Sequence, residues 1–487
     1  APKTGDPKAT PLTDSLIFKR KPWDHQLQAI KKAEIAFREG KSYFALFMEV
    51  GTGKTLAMVN ILRVLTKKED FLPRTLILSP LITLHNWQRE ILANSNFKEE
   101  TIHVLEGSGK KKAESIPFGP GIVIGNYEML YSKDVMDSLL KWQPQVLILD
   151  ESHKLKDGTS KRTKAVLQLA KNCKYKFIMT GTPILKNLMD LWSQVKIMDG
   201  GQRLFTSFFA FRSRYFKNVN EGFSFKDWPE WVPIKNADIE IGGKLADISH
   251  QAKKLECLDL PPFVRTEIHA GLTKEQLKHY LLMENDLITF IKDEASSAAI
   301  ALTKALRMQQ IVSGFIKTDD GNEIEFRDTP RAIALKELLS NLCPDNKVIV
   351  WSVFKNNYKT IRRVCENLGL KYVELTGEIS NKEKFANVDA FNTDDSISVL
   401  IGAPQAGGVG INLVAASCAI YFSRGFSLEA DLQSEARNFR GGSEIHSKIT
   451  RYDIVAPGTI DEEVIQALKA KEEIGIKTLK AMIMKGK

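Results

Sequence analysis

An apolar run that ends in Gly51-Thr52-Gly53-Lys54-Thr55 limits the folds open to this chain more than any other stretch. Ser42 to Val50 is long and apolar enough for a buried strand, and Leu56 to Leu65 has helical periodicity. Strand, glycine-rich turn and helix form the context a phosphate-binding loop requires. Gly51 and Gly53 let the backbone turn its N–H groups toward an anion, and the helix that follows adds the positive end of its dipole. In that role Lys54 reaches the outer phosphates and Thr55 offers its hydroxyl to a magnesium ion. The full consensus has glycine where this chain has Met48. A strand-to-helix turn that holds no ligand is therefore the plain alternative.

Val146 to Leu149 is a second buried-strand run, and it ends in Asp150-Glu151-Ser152-His153. Carboxylates at the end of a hydrophobic strand are costly unless bonded or used. An enzyme with a phosphate loop needs one carboxylate for magnesium and another to orient the attacking water, which fits Asp150 and Glu151. An acidic turn is the bland reading of the same residues. Upstream, Pro22 to Ile30 opens an amphipathic helix that carries Gln26, whose amide has the donor and acceptor that read an adenine edge; an exposed helical glutamine is the common alternative.

The chain has 487 residues, room for two to four domains at ~150 residues each. A net charge of +10 suits a polyanionic partner, nucleic acid first. Five scattered cysteines without a CxxC pair argue against a zinc or disulfide framework, and no signal peptide or membrane-spanning run stands out. The expectation is a soluble intracellular protein. Residues 1–21 read as a loosely attached tail. Further strands are expected at Thr75–Leu78, Gly121–Ile124 and Phe177–Met179, each ending in polar residues, as in a parallel sheet that binds ligands at its carboxyl edge.

From about Gly200 the pattern changes. Phe205, Phe208, Phe209, Phe211, Tyr215 and Phe216 mix with Arg203, Arg212, Arg214 and Lys217, and Trp228 and Trp231 follow. Such mixing suits a nucleic-acid grip, but the near-helical spacing favours a small core with a basic rim. Phe263 to Ala270 alternates like a strand, Thr273 to Phe315 reads as helical, and Lys317 to Pro330 reads as a loop. A second α/β series follows, with strands at Lys347–Trp351, Tyr372–Leu375, Ser398–Ile401, Ala419–Phe422 and Tyr452–Val455. It carries Gly407 to Leu413, including Gly410, and then Gln433 to Gly442. Arg437 and Arg440, three apart, would share one helix face and neutralise a transferring phosphoryl group, or else lie exposed on a solvated helix. Asp461 to Lys487 reads as one charged amphipathic helix.

Taken in order, GTGKT, SPLITLHNWQREI, DESH, TGTPILKNLMDLWS, GGVGINL and QSEARNFRGG resemble the helicase-like motors of the second superfamily, and within it the Swi/Snf-like group. The resemblance spans Pro22 to Asp461. It implies an α/β fold of two RecA-like parallel-sheet lobes with mainly helical insertions. The expected division is a tail at 1–21, a first, ATP-binding lobe at 22–199, a helical insertion at 200–260, a linker strand and helical insertion at 261–330, a second lobe at 331–460 and a C-terminal helix at 461–487.

By position, Gln26 matches the adenine reader, and Gly51, Thr52, Gly53, Lys54, Thr55, Gly410 and Gln433 match nucleotide-binding positions. Thr55 and Asp150 match magnesium ligands. Glu151 matches the water activator, and Lys54, Arg437 and Arg440 match catalytic cations, with Arg440 as the arginine finger. Thr180 and Thr182 match the motif that couples hydrolysis to motion. Asn86, Trp87, Asn126, Tyr127, Thr376 and Gly377 sit where relatives touch the DNA backbone.

The implied activity is that of an ATP- and Mg²⁺-dependent DNA translocase or helicase, acting as a monomer on duplex, forked or branched DNA without sequence preference. An RNA helicase, a restriction-complex motor and a non-hydrolysing scaffold are the alternatives. Phe47-Met48 replaces the common Ala-Asp, Ser443 stands where many relatives carry Gln, and the insertions are short. These features resemble compact bacterial or viral members, the latter acting in a host cytoplasm.

Overall fold

The structure, a computed structural model, describes residues 11–220, 229–292, 298–317, 323–343, 345–405 and 411–484. The chain divides into two compact units, 1–258 with 471–487 and 259–470. Each is a parallel α/β sheet, and together they give the two RecA-like lobes with helical insertions that the sequence implies.

In the first unit the strands are β1 (Tyr43–Met48), β2 (Thr75–Ser79), β3 (Ile102–Val104), β4 (Ile122–Asn126), β5 (Val146–Asp150) and β6 (Tyr175–Met179). A short antiparallel hairpin, β7 (Phe216–Asn218) with β8 (Trp231–Pro233), and a last strand, β9 (Ser249–Ala252), follow. The sheet order is β3-β4-β2-β5-β6-β1-β9, parallel throughout. Both faces are covered, which is why these strands read as unbroken apolar runs instead of alternating with polar residues. Alternate residues still go to opposite faces. Phe47, Leu76, Leu78, Leu147 and Leu149 pack with Val135, Leu139 and Val166 of the helices on one side. Phe44, Leu46, Met48, Ile77 and Ile148 pack on the other side with α1 (Asp24–Arg38), α2 (Lys54–Glu69) and α3 (Leu84–Asn94).

Two stretches depart from expectation here. The 200–260 segment is not helical throughout: it holds the β7–β8 hairpin and returns β9 to the sheet beside β1, with Ala45 opposite Ser249. The described part of the expected tail is fastened to the body. Thr13 is buried, and its backbone N–H and hydroxyl both donate to Glu34 of α1, at 2.9 and 2.5 Å. Arg63 of α2 donates to the Ile17 carbonyl at 2.7 Å.

In the second unit β10 (Phe263–His269) forms the edge of the sheet. After it come the hairpin β11 (Phe315–Lys317) with β12 (Glu323–Glu325), then β13 (Lys347–Trp351), β14 (Lys371–Leu375), β15 (Ile397–Gly402), β16 (Ala416–Tyr421) and β17 (Ile449–Val455). The order is β10-β17-β16-β13-β15-β14, again parallel. Val348, Val350, Val399, Ile401 and Ile420 pack against Leu335, Leu339, Tyr358 and Ile361 of the covering helices. The β11–β12 hairpin replaces part of the loop expected after Lys317, pairing Phe315 with Glu325 and Lys317 with Glu323. The helix Ile460–Met484 begins by packing Val464 and Leu468 on Leu428.

Candidate nucleotide-binding and hydrolysis site

The carboxyl ends of β1, β5 and β6 gather the first unit's candidates. Gly51 and Gly53 both have positive φ, 91° and 78°, the left-handed region that glycine enters without a Cβ penalty. A Cβ at Gly53 would run into Gln26 Nε2, so glycine there lets α1 close over the loop. Gln26 is 3% exposed, and its amide is fully engaged: Oε1 accepts from the Trp23 N–H at 2.9 Å, and Nε2 donates to the carbonyls of Thr52 and Gly53 at 3.0 and 3.4 Å. His25 also bonds the Thr52 carbonyl, at 2.8 Å. The Thr52 hydroxyl and Lys54 Nζ both donate to the Glu49 carbonyl, at 2.8 and 3.4 Å. Lys54 and Thr55 open α2.

Asp150 is buried at the tip of β5. Trp87 Nε1 donates to its Oδ2 at 2.9 Å, Ser79 Oγ to the same oxygen at 3.1 Å, and the Glu151 N–H to Oδ1 at 2.9 Å. The Tyr127 hydroxyl donates to the Asp150 carbonyl at 2.7 Å. Glu151 takes a left-handed backbone conformation (φ 49°), uncommon for a residue with a side chain and a form of strain that accumulates at functional sites. Its Oε2 lies 3.3 Å from His153 Nδ1 and 3.5 Å from the Thr180 hydroxyl, and His153 Nδ1 also meets that hydroxyl at 2.8 Å. Oε1 has no hydrogen-bond partner among the described residues.

Burial, and then the neighbouring Glu151 charge, push the Asp150 carboxyl above its ordinary pKa. Burial also works against ionising Glu151, but the hydrogen bond to His153 and the charges of Lys54, His153 and Lys154 outweigh it and hold Glu151 low. The loop after β6 completes the group. A Cβ at Gly181 would approach the backbone of Val50 at 3.1 Å, and the Thr182 N–H donates to Thr180 Oγ1 at 3.1 Å.

These residues fit a nucleotide with magnesium. A glycine cradle lies at a helix start, Lys54 and Thr55 lead that helix, Asp150 and Glu151 are both buried, and Glu151 has one oxygen without a partner among the described residues.

The expected DNA contacts fare differently. Trp87 and Tyr127 are each 1% exposed and hold Asp150 from beneath, so neither ring is available to a phosphate backbone. Asn126 is also buried, bonding Glu128 Oε2 at 2.9 Å, and Thr376 is buried at the end of β14. Asn86, half-buried at the start of α3, and the exposed Gly377 stay accessible.

In the second unit Gln433 lies on the helix Leu428–Glu435 and donates to Glu429 at 3.3 Å. That helix stops before the arginines, so Arg437 and Arg440 do not share a helix face as their spacing suggested. They converge through a turn instead, Arg437 Nη1 and Arg440 Nη1 donating to the one Ile411 carbonyl at 3.3 and 3.2 Å. Arg437 is buried and Arg440 half-exposed. Gly410 lies outside the described residues.

A buried ion network that no local motif announces anchors this helix. Arg451, 1% exposed, lies over the Tyr421 ring at 3.7 Å and donates to Asp431 at 3.0 Å, Glu435 at 3.1 Å and Asp453 at 3.0 Å. Arg265 and Arg424 close it from the sides, Arg265 on Glu435 at 2.7 Å and Arg424 on Asp431 at 3.1 Å. Removing one partner of such a cluster strands buried charge. An Arg451→Ala substitution is expected to destabilise the second unit by about 3–5 kcal/mol, read from denaturant unfolding of the full chain. A loss under about 1 kcal/mol would mean that the cluster is not what holds the helix.

Fold and site together define an ATP-hydrolysing motor of the helicase type. The SNF2-related domain family matches residues 41–314, more than half of the chain, and the helicase conserved C-terminal domain matches residues 331–442. The chain belongs to the SNF2-related family of superfamily 2 ATPases.

It is 27% identical over 449 residues to a putative protein p41 of Acyrthosiphon pisum secondary endosymbiont phage 1, covering 89% of this chain and 93% of that one. It is also 27% identical over 450 residues to an uncharacterized ATP-dependent helicase of Mycoplasma genitalium (88% of this chain, 40% of the other). Against the human DNA repair and recombination protein RAD54B it is 24% identical over 471 residues (87% and 50%). The chain thus spans half or less of the latter two relatives. Among solved structures, the Sulfolobus solfataricus SWI2/SNF2 ATPase core in complex with dsDNA is similar at 22% identity and a TM-score of 0.45, covering 96% of this chain and 97% of that one. No helix among the described residues is long and apolar enough to cross a membrane.

Proposed function

We propose that this chain is a DNA translocase that turns ATP hydrolysis into movement along duplex or branched DNA without reading its sequence. The observation that carries the hydrolytic half is the Glu151 carboxylate, with one oxygen held by His153 and Thr180 and the other without a partner among the described residues. In this reading Glu151 orients a water for in-line attack on the γ-phosphorus and takes its proton as the bond to the β-phosphate oxygen breaks and ADP leaves. Lys54 and the N–H groups at the start of α2 bind the phosphates. Thr55 and Asp150 are the residues to hold magnesium, which when bound screens the phosphate charge. Arg437 and Arg440 supply positive charge to the transferring group, and Gln26 reads the adenine. Thr180, bonded to Glu151, and Thr182, whose N–H donates to Thr180, pass the change on to the rest of the lobe.

DNA as the track is supported by the net charge of +10 and by the similarity to RAD54B, a DNA repair and recombination protein. Asn86 and Gly377 remain the backbone contacts in this reading. Grip on phosphates carries no base information and weakens steeply with salt.

The test is ATP turnover by the full chain with single-stranded, duplex, forked and four-way DNA, and with RNA. DNA is expected to stimulate turnover, with a negative log–log dependence on salt and no preference among sequences. Stimulation by RNA and not by DNA would reverse the assignment.

A further inference from the structure

We propose that Phe209, Arg212 and Trp231 form a binding site for single-stranded nucleic acid, separate from the nucleotide site. The helix Phe208–Tyr215 buries Phe211 and Tyr215 in the core of the first unit, and turns Phe209 outward, 69% exposed. Arg212 lies on the same turn. Its guanidinium sits 4.0 Å from the Trp231 ring centre, 5.3 Å from Phe209 and 5.7 Å from Phe208. A second cation extends the row: Trp192 meets Phe208 edge-on at 5.3 Å, and Lys196 Nζ lies 4.6 Å above Trp192. Lys217, exposed on β7, adds charge on the adjoining hairpin.

The charges in this segment divide into two kinds. Arg203 is paired with Asp247 at 2.6 Å, Arg214 with Glu240 at 2.8 Å and Lys244 with Glu240 at 3.9 Å. Arg212 and Lys196 rest on aromatic rings and have no carboxylate partner among the described residues. Arg212 Nε is buried with no hydrogen-bond partner among them. A ring-supported guanidinium keeps its full charge while shedding water from its faces, which favours an anion arriving at its edge. The exposed Phe209 ring beside it offers a stacking surface. A ligand that brings a phosphate and an unpaired π-face together is a polynucleotide strand whose bases are not in a helix. Duplex DNA has its bases stacked inside and presents no free face to Phe209.

The experiment uses the full chain without nucleotide and a fluorescein-labelled oligothymidylate of about 20 nucleotides, with a duplex of equal length beside it. Phe209→Ala and Arg212→Gln are each expected to weaken single-strand binding by about fivefold or more, and to change duplex binding by less than about twofold. Arg214→Gln, which removes a paired arginine, is expected to leave both within about twofold. Phe209 is exposed, so its truncation tests the site without opening the core. Single-strand affinity unchanged in both variants, or lost by the same factor on duplex, would overturn the proposal. ATP turnover enters at no point, so failure here leaves the translocase reading standing, and failure of DNA-stimulated turnover leaves this site to be judged by binding alone.

Discussion

Arg440→Ala is expected to slow ATP hydrolysis by about 10³–10⁵-fold, the range for removing an arginine that neutralises a transferring phosphoryl group. Its Nη1 donates to the Ile411 carbonyl and the side chain is half-exposed, so its truncation spares the core of the second unit. Nucleotide affinity should fall far less than turnover, because in the proposed role the charge Arg440 opposes is largest in the transition state. Single-turnover hydrolysis beside equilibrium nucleotide binding separates the two. Arg437 shares the Ile411 carbonyl but is buried, so Arg437→Ala should lower the unfolding midpoint as well as the rate. Turnover of Arg440→Ala within tenfold of the unaltered chain would remove Arg440 from the chemistry.

Glu151→Gln is the second large effect, with turnover reduced by about 10²–10⁴-fold, the contribution of a positioned general base. The amide is nearly the same size as the carboxylate and can keep a polar contact with Thr180 or His153, so the loop after β5 should hold its shape. It cannot take the proton of an attacking water. Asp150, Lys54 and the glycine cradle are untouched, and nucleotide binding should be retained within about tenfold. If Glu151→Gln turns over at the original rate, another group activates the water.

The strands and the candidate residues of the nucleotide site are legible because their signals are local. β1, β2 and β5 are covered on both faces and announce themselves as apolar runs, and the phosphate loop and acidic pair sit at the ends of two of them. What sequence reasoning missed is set by distant partners. Trp87 and Tyr127 look like surface contacts because they stand among polar residues at strand ends. Only the fold shows both bonded to Asp150. Ser249-His250-Gln251-Ala252 has no strand signature, and it becomes one because β1 offers it an open edge. Arg437 and Arg440, three apart, read as one helix face; the helix nevertheless ends at Glu435, beside the Arg451 network. His25 and His153 have no role assigned from sequence, because their value lies in the Thr52 carbonyl and the Glu151 carboxylate they meet in the fold.

The place of β9 beside β1 also governs the order in which the molecule assembles. Ala45 meets Ser249, and at the margin of the other sheet Phe263 meets Ile449, so each layer is finished by chain made long after it was begun. Such long-range closures slow folding, because the loop must be ordered before the pairing rewards it. On the ribosome, the strand bearing the phosphate loop waits with a bare margin until Ala252 emerges. A chain cut short of Ala252 would keep that margin bare, the condition in which an edge strand pairs with other chains.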